Sequence, residues 1–330
     1  MENVIVKQET VNRRQSFADR YIKNLPVSFF TTVMGTGGLS IAYQRFADIF
    51  YIPAISLALL AAAYILFIGI GLAYGYKLLR YTSDVVAEFN QPVKANYFAA
   101  FSISLLVLGT ATFDFQRSVS FVLWCAGAAL QLILILVMAS RWIMRDHEVS
   151  QSNPAWFLPA AGNILVPIIG VEFAPKEVCW FFFSIGLFFW LVLFVIIFNR
   201  ITFHPRLSDK LVPTLFIMIA PPALGFIAYV RLYDSFDIFA GLLLNIALFL
   251  IMLLLFMLPY FLKIRFSISW WAYTFPLCIA ATAGAIAYKM SGKTGYAWIS
   301  AILLILASLA VAIVFIKTAV AIKQKTIFEE

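Results

Sequence analysis

The chain has 330 residues, of which 63% are hydrophobic and only 12% are charged. A soluble domain usually has about 25% charged residues, so this composition predicts an integral membrane protein. The apolar residues come in long unbroken blocks, whereas a transmembrane β-barrel is built from alternating segments of about ten residues. We therefore expect an all-α bundle of membrane-spanning helices.

A bilayer core is crossed by about 20 predominantly apolar helical residues, and polar clusters divide this chain into ten blocks of roughly that length. We expect an N-terminal tail at 1–23, a ten-helix channel domain at 24–317 and a C-terminal tail at 318–330. The predicted spans are 24–45, 53–76, 93–113, 118–140, 154–171, 178–198, 211–231, 237–260, 262–288 and 294–317.

Basic residues are distributed unequally between the two sides of these spans. Cytoplasmic connectors carry the excess of Lys and Arg, and the 24 basic residues lie mainly on the side of the chain ends. The sequence therefore predicts a multi-pass inner (cytoplasmic) membrane protein with both termini in the cytoplasm, and the polar first 23 residues lack the features of a secretory signal. This topology explains the net charge of +8 without a nucleic-acid partner. The basic residues of the opposite side are Arg45, Arg117, Lys176, Arg231, Lys289 and Lys293.

The cysteines and histidines do not form a reactive cluster in the sequence. Cys125, Cys179 and Cys278 fall within apolar blocks, and no pair has the spacing of a metal site or a disulfide framework. His147 and His204 stand alone in polar connectors. We predict no metal site and no cofactor.

Prolines concentrate in the odd-numbered spans. An interior proline removes a backbone hydrogen bond and bends a helix, and such backbone is tolerated at membrane depth only inside protein or beside a watery cavity. The bias predicts five helical hairpins around a central pore, with bent odd helices inside and straight even helices facing lipid. The alternative is that these prolines belong to ordinary packing of the helix bundle and do not mark a pore, since proline is common in membrane helices. The prolines of the odd spans are Pro26, Pro92, Pro154, Pro159, Pro167, Pro213, Pro221, Pro222 and Pro276.

The central parts of the ten spans contain no Asp, Glu, Lys, Arg or His. Proton relays and charged substrate clamps require ionisable groups at membrane depth, and general acid–base catalysis requires a positioned titratable group. The sequence therefore argues against proton-driven transport and against an enzyme. An anion path, by contrast, can be lined without fixed charge by helix ends, hydroxyls and the positive edges of aromatic rings.

Small and polar residues of the odd spans are the candidates for lining such a path. Gly35 and Gly38 leave one face of span 1 without side chains, so that water could approach this face. The competing interpretation is that a neighbouring helix packs closely there. The predicted lining residues are Thr31, Gly35, Thr36, Gly38, Ser102, Ser104, Phe157, Asn163, Pro167, Pro221 and Pro222.

Span 9 contains an aromatic run from Ser269 to Pro276, with the sequence SWWAYTFP. If the span begins at 262, Trp270 lies about 12 Å into the helix and Phe275 about 20 Å, at about 1.5 Å per residue. A phenylalanine at a bend near the bilayer midplane can close a narrow pore by excluding water. We predict that Phe275, positioned by Pro276, is the pore gate, and ordinary core packing is the alternative.

This run resembles the ninth-helix signature of the tellurite-resistance/dicarboxylate transporter family, to which bacterial TehA and the plant guard-cell slow anion channels belong. The resemblance implies ten helices as five hairpins around a pore in each subunit of a homotrimer, with a phenylalanine of the ninth helix, here Phe275, closing the pore. Histidines usual in two family motifs are replaced by Gln91 and Asn153, so roles tied to them do not transfer. The other motifs match in the same order over nearly the whole chain: Leu25-Pro26 with Gly35 and Gly38, EFNQPV from Glu88, NPAWFLP from Asn153 and APPA from Ala220.

Two transport hypotheses follow from the residues and the resemblance. The first is a passive channel for small monovalent anions such as chloride and nitrate. The alternative is a secondary transporter or exporter of dicarboxylate, sulfite or tellurite-related oxyanions, since backbone carbonyls can bind coupling ions. A membrane scaffold or sensor is the third, non-transport hypothesis.

Overall fold

The computed structural model describes residues 21–47, 49–50 and 53–324. These residues are helical almost throughout and include no β-strand, so the predicted all-α fold is confirmed. Most of the predicted N-terminal tail, up to Arg20, and the last six residues of the predicted C-terminal tail lie outside the described residues.

The even-numbered spans are long, uninterrupted α-helices. Between 17% and 39% of the residues in their most apolar stretches are buried, so most of their surface is free to face lipid. Four of them run past the predicted ends because flanking residues such as Lys77 and Arg80 are themselves good helix formers. These helices are α2 (Pro53–Arg80), α5 (Arg117–Met144), α8 (Lys176–Phe203), α10 (Ile238–Phe256) and α13 (Thr294–Gln324).

The odd-numbered spans are buried, and each begins with a 3-10 segment. Residues of spans 3, 7 and 9 are 89%, 89% and 78% buried in their most apolar stretches. The 3-10 segments Val27–Phe29, Lys94–Phe98, Pro154–Trp156, Val212–Ile219 and Ile268–Tyr273 precede α1 (Phe30–Phe46), α4 (Ala99–Thr112), α6 (Phe157–Ala161), α9 (Ala220–Tyr233) and α12 (Thr274–Ser291).

Three prolines lie at the change from 3-10 to α-helix. Pro221 and Pro222 follow Ala220 in the first turn of α9, and Pro276 is the third residue of α12. A proline has no N–H to donate and is therefore tolerated in the first turn of an α-helix. These prolines thus mark where the helix type changes, two or three residues inside the α-helical part.

Eight helical stretches of the described chain are long and apolar enough to cross a bilayer. The other two predicted spans are helical over Val27–Phe46 and Pro154–Gly170, and they are not among the eight. Span 5 is the most irregular, because α6 is followed by a 3-10 turn at Gly162–Leu165 and by α7 (Val166–Gly170).

Span 9 begins later than predicted. After α10 a short helix α11 (Leu258–Phe261) and an extended Ser267 precede the 3-10 segment that starts at Ile268. Phe275 therefore lies roughly 13 Å along the helix rather than 20 Å. Trp270 is near the end of the bundle, where its indole N–H donates to the Arg265 carbonyl at 3.2 Å. The predicted depth was wrong because the turn after α11 is itself apolar and does not interrupt the hydrophobic block.

Both described ends of the chain meet on one face of the bundle, which we call the terminal face. Leu25 and Phe29, before and at the start of span 1, pack with Ala321 near the end of α13. Ile70 of α2 and Ile268 of span 9 pack against the same cluster. The terminal face therefore carries the 3-10 starts of spans 1 and 9.

Candidate functional site

Three cavities follow one another through the bundle. The terminal-face cavity has a volume of about 590 Å³, the central cavity about 50 Å³ and the opposite-face cavity about 270 Å³. Tyr97, Ile268 and Ser269 line both of the first two, and Leu165 lines both of the last two. The shared lining residues place the three cavities in a row, which we call the path, and the small central cavity is its waist.

The terminal-face cavity is lined by more cationic than anionic side chains. Lys23 pairs with Asp84 at 3.8 Å, and the buried Lys77 pairs with Glu88 at 2.7 Å. Both pairs line this cavity, as do Lys94 and Lys210, which form no ion pair with any described residue. The cavity therefore has an excess of positive charge.

The opposite-face cavity has a similar balance. Arg45, Arg231 and Lys289 line it together with one carboxylate, Asp234. Arg45 and Arg231 have acidic neighbours that do not line the cavity: Arg45 lies 3.6 Å from Asp114, and Arg231 lies 2.8 Å from Glu172. These pairs moderate the positive charge at this mouth without reversing it.

The central cavity is apolar, and all five odd-numbered spans contribute to its wall. No Asp, Glu, Lys, Arg or His is among its lining residues, which expose far more carbon than nitrogen or oxygen. Its hydroxyl groups are few, and that of Thr31 donates to the Ser28 carbonyl at 2.6 Å. An ion in this waist would meet neither water in quantity nor a fixed opposite charge.

Phe275 lies in the wall of the waist and is 5% exposed. Its ring packs on Gly38 of α1, where a Cβ atom would come within 2.9 Å of ring atom Cδ2. A Cβ at Gly35 would overlap Trp271 and the hydroxyl of Thr274. The two glycines therefore allow α1 and α12 to approach closely, and the Phe275 ring packs in the space that a side chain at Gly38 would fill.

The sequence-predicted site residues fall into two groups. Five of them line the central cavity together: Thr31, Phe157, Pro221, Phe275 and Pro276. Eight are not among the lining residues of the three cavities: Gly35, Thr36, Gly38, Ser102, Ser104, Asn163, Pro167 and Pro222.

The hydroxyl groups of the second group are hydrogen-bonded within the bundle. Thr36 donates to the Thr32 carbonyl at 2.8 Å, and Ser104 donates to the carbonyls of Ala100 and Phe30. Hydroxyls in helices often bond back to the preceding turn in this way. In this conformation their O–H groups are not available to an ion in the path.

Several wall residues were missed from the sequence. Tyr97, Met34 and Ala272 line the central cavity, and their apolar or mixed character gave no signal. Gln131 of α5 is different, since it is a buried amide in an apolar span that donates to the carbonyls of Leu158 and Pro159 at 3.0 and 2.9 Å. A single glutamine within a lipid-facing span could have indicated that a neighbouring helix is broken.

The comparisons with known proteins agree on one family. The profile of the SLAC1 family, described as voltage-dependent anion channel, matches residues 24–319. The S-type anion channel SLAH2 of Arabidopsis thaliana is 28% identical over 80% of this chain and 52% of its own length. The uncharacterized transporter MJ0762 of Methanocaldococcus jannaschii is 26% identical over 82% of this chain and 87% of its own.

A bacterial relative completes the comparison. The tellurite resistance protein TehA homolog of Haemophilus influenzae is 24% identical over 80% of this chain and 81% of its own length. The chain spans about half the length of SLAH2 and more than four fifths of the length of the archaeal and bacterial relatives. The chain belongs to the SLAC1 family of voltage-dependent anion channels and is a multi-pass membrane protein of that family.

Proposed function

We propose that the chain is a passive channel for small monovalent anions such as chloride and nitrate, closed at Phe275 in the conformation described above. The observation that carries the proposal is a pair of cation-lined cavities joined by an apolar waist. Lysine and arginine at a mouth raise the local concentration of anions. Because the waist has no fixed charge, an anion that enters it is not held by a strong ion pair and can leave.

The proposed architecture is ten crossing helices arranged as five hairpins. The contrast in burial between odd and even spans supports an inner ring and a lipid-facing outer ring. Val27–Phe46 and Pro154–Gly170 complete the inner ring in this proposal, since residues of both spans line the waist. The proposed division is 1–23, 24–317 and 318–330, with the last helix continuing to Gln324.

Membrane orientation and assembly are part of the same proposal. The excess of Lys and Arg on the terminal face supports a cytoplasmic location for both termini, in the inner membrane. The resemblance of the motifs to the family supports a homotrimer with one pore per subunit.

Phe275 acts in this proposal as an apolar plug. Its ring narrows the waist, and an apolar constriction closes a pore by excluding water. Thr31, Phe157, Pro221 and Pro276 form the wall beside it. The remaining predicted lining residues lie outside this wall and pack against it. Among them, Gly35 and Gly38 allow the helices to approach closely. The other members of this second layer are Thr36, Ser102, Ser104, Asn163, Pro167 and Pro222.

The test is Phe275→Ala, recorded in planar bilayers with purified protein. We expect anion current to rise at least about tenfold, the effect of lowering a barrier by about 1.4 kcal/mol, with single-channel steps that reverse at the anion Nernst potential. Phe226→Ala is the matched control, because Phe226 is fully buried and lines none of the three cavities. It should cost about 3–5 kcal/mol of stability and leave the current unchanged.

Two outcomes would overturn parts of the proposal. An unchanged current in folded Phe275→Ala protein would assign the ring to core packing. Saturable flux that requires a proton or sodium gradient would replace the channel by the secondary transporter of dicarboxylate, sulfite or tellurite-related oxyanions.

A further inference from the structure

A fourth cavity lies on the terminal face, apart from the path described above. It has a volume of about 230 Å³ and shares no lining residue with the other three cavities. We call it the Trp156 cavity. Its wall is formed by Asn90, Pro92, Ala95, Asn96, Met138, Arg141, Trp142, Arg145, Asp146, His147, Gln151 and Trp156.

Three buried polar atoms of this wall have no hydrogen-bond partner: Asn96 Oδ1, His147 Nδ1 and Trp156 Nε1. Asn96 is 2% exposed and Trp156 is 6% exposed. The Nδ2 group of Asn96 donates to the Pro92 carbonyl at 2.9 Å, so the oxygen is the end left unsatisfied. Buried polar groups are nearly always satisfied in folded proteins, and three such atoms around one cavity indicate a ligand.

The chemistry of these atoms defines what that ligand must supply. The Trp156 N–H requires an acceptor, and Asn96 Oδ1 requires a donor. His147 Nε2 lies 3.2 Å from the Arg141 carbonyl, an acceptor, so in the neutral ring Nε2 carries the hydrogen and Nδ1 also requires a donor. A halide supplies no donor and leaves two of the three atoms unsatisfied.

The wall is also cationic. The Arg141 guanidinium donates to the Phe89 carbonyl at 2.7 Å and to Asn90 Oδ1 at 2.5 Å, and it pairs with no carboxylate in the described part of the chain. Arg145 forms no ion pair with any described residue. Asp146 is the single carboxylate of the wall, and it is exposed. Arginine binds phosphate oxygens particularly well because its guanidinium offers several donors in one plane.

The position of the cavity favours a lipid as the source of the phosphate. It lies at the end of α5, where the neighbouring Ile143 and Met144 are 80% and 81% exposed. Such apolar exposure on a membrane-spanning helix indicates contact with acyl chains. Basic pockets between helices on the cytoplasmic side are typical sites for anionic headgroups.

We propose that the Trp156 cavity binds a hydroxyl-bearing phosphate ester, presented as the headgroup of an anionic lipid such as phosphatidylglycerol. The phosphate accepts from the Trp156 N–H and from Arg141 and Arg145, and the glycerol hydroxyls donate to Asn96 Oδ1 and His147 Nδ1. This site does not depend on the proposed channel function.

The experiment is native mass spectrometry of the detergent-purified protein with added phosphatidylglycerol, phosphatidylcholine of the same acyl chains, or glycerol 3-phosphate. Phosphatidylcholine has the phosphate but no hydroxyl donor and no net charge. We expect phosphatidylglycerol to bind at least about tenfold more tightly than phosphatidylcholine. Arg145→Gln should reduce that preference severalfold, because only phosphatidylglycerol has a net charge. Trp156→Phe keeps an aromatic ring against Trp142, whose ring lies 5.3 Å from that of Trp156, and should weaken the binding of phosphatidylglycerol itself severalfold, because it removes a donor to the phosphate.

Arg80→Gln is the matched control, since Arg80 is an exposed arginine at the terminal-face end of α2 and does not line the Trp156 cavity. It should leave the preference unchanged. If glycerol 3-phosphate binds as tightly as the lipid and Trp156→Phe weakens that binding, the proposed site is supported and its ligand is a soluble phosphate ester. Equal binding of the two lipids, or equal loss in Arg145→Gln and Arg80→Gln, would overturn the proposal.

Discussion

The buried ion pair beside the terminal-face cavity gives the sharpest prediction about stability. Glu88 accepts from Lys77 Nζ at 2.7 Å, from the Val27 N–H at 2.7 Å and from the Tyr74 hydroxyl at 3.1 Å. Lys77 also donates to the Leu25 carbonyl at 2.8 Å. The pair thus ties the start of span 1 to α2 and to α3 (Thr82–Asn90), a short helix that was not predicted.

Glu88→Gln keeps the shape of the side chain and removes its charge. The Lys77 and Glu88 side chains are 5% and 7% exposed, so the substitution leaves a buried lysine without a counter-charge. Breaking a buried pair from one side costs about 3–5 kcal/mol. Replacing both residues, as in Lys77→Met with Glu88→Leu, removes the unpaired charge but takes a partner from the Val27 N–H, the Leu25 carbonyl and the Tyr74 hydroxyl, at about 1–3 kcal/mol for each group that stays buried.

The measurement is the free energy of unfolding from a reversible SDS titration in mixed micelles. Asp84→Asn is the control on the same helix, because the Lys23–Asp84 pair is exposed and should contribute at most about 1 kcal/mol. A loss in Glu88→Gln no larger than in Asp84→Asn would refute the reasoning.

Two further predictions test the helix contact and the path. Gly35→Ala should destabilise the fold by about 1–3 kcal/mol in the same SDS titration, because the new methyl group overlaps the side chains of the ninth span. Gly69→Ala is the control: no atom lies within 4 Å of its new Cβ, so it should stabilise the fold by about 0.5–1 kcal/mol. In a Phe275→Ala, Cys125→Ser background, in which the waist is open, Thr31→Cys should react with a hydrophilic thiol reagent, whereas the fully buried Ser102→Cys should not. Equal labelling would contradict the assignment of Thr31 to the path.

The positions of the helices could be predicted because each hydrophobic block has the length of a membrane crossing. The start of span 9 could not, since the turn between Phe261 and Ile268 contains Leu262, Ile264 and Phe266 and reads as part of the same block. Hydropathy identifies residues that avoid water, and it does not distinguish an apolar turn from an apolar helix.

The wall of the waist was only partly predictable. Aromatic and proline positions such as Phe157 and Pro221 do line it, whereas the hydroxyl of Ser102 is directed to Gln131 Oε1 at 2.5 Å. A serine in a membrane helix can bond to its own backbone, to a neighbouring helix or to a pore, and its position in the sequence does not decide among them. The excess of Lys and Arg on the side of the termini could be read from the sequence, whereas the cationic lining of both outer cavities and the buried Lys77–Glu88 pair depend on three-dimensional contacts.

The 3-10 starts of the inner helices have a mechanical consequence. A 3-10 helix has 3.0 residues per turn and rises about 2.0 Å per residue, against 3.6 residues and 1.5 Å in an α-helix. If the eight residues of Val212–Ile219 rewound to α-helix, the segment would shorten by about 4 Å and its lower end would rotate by roughly 160°. Tyr97, Ile217 and Trp271 belong to such segments and line the waist. Rewinding of these segments would therefore change the shape of the waist wall by a screw motion.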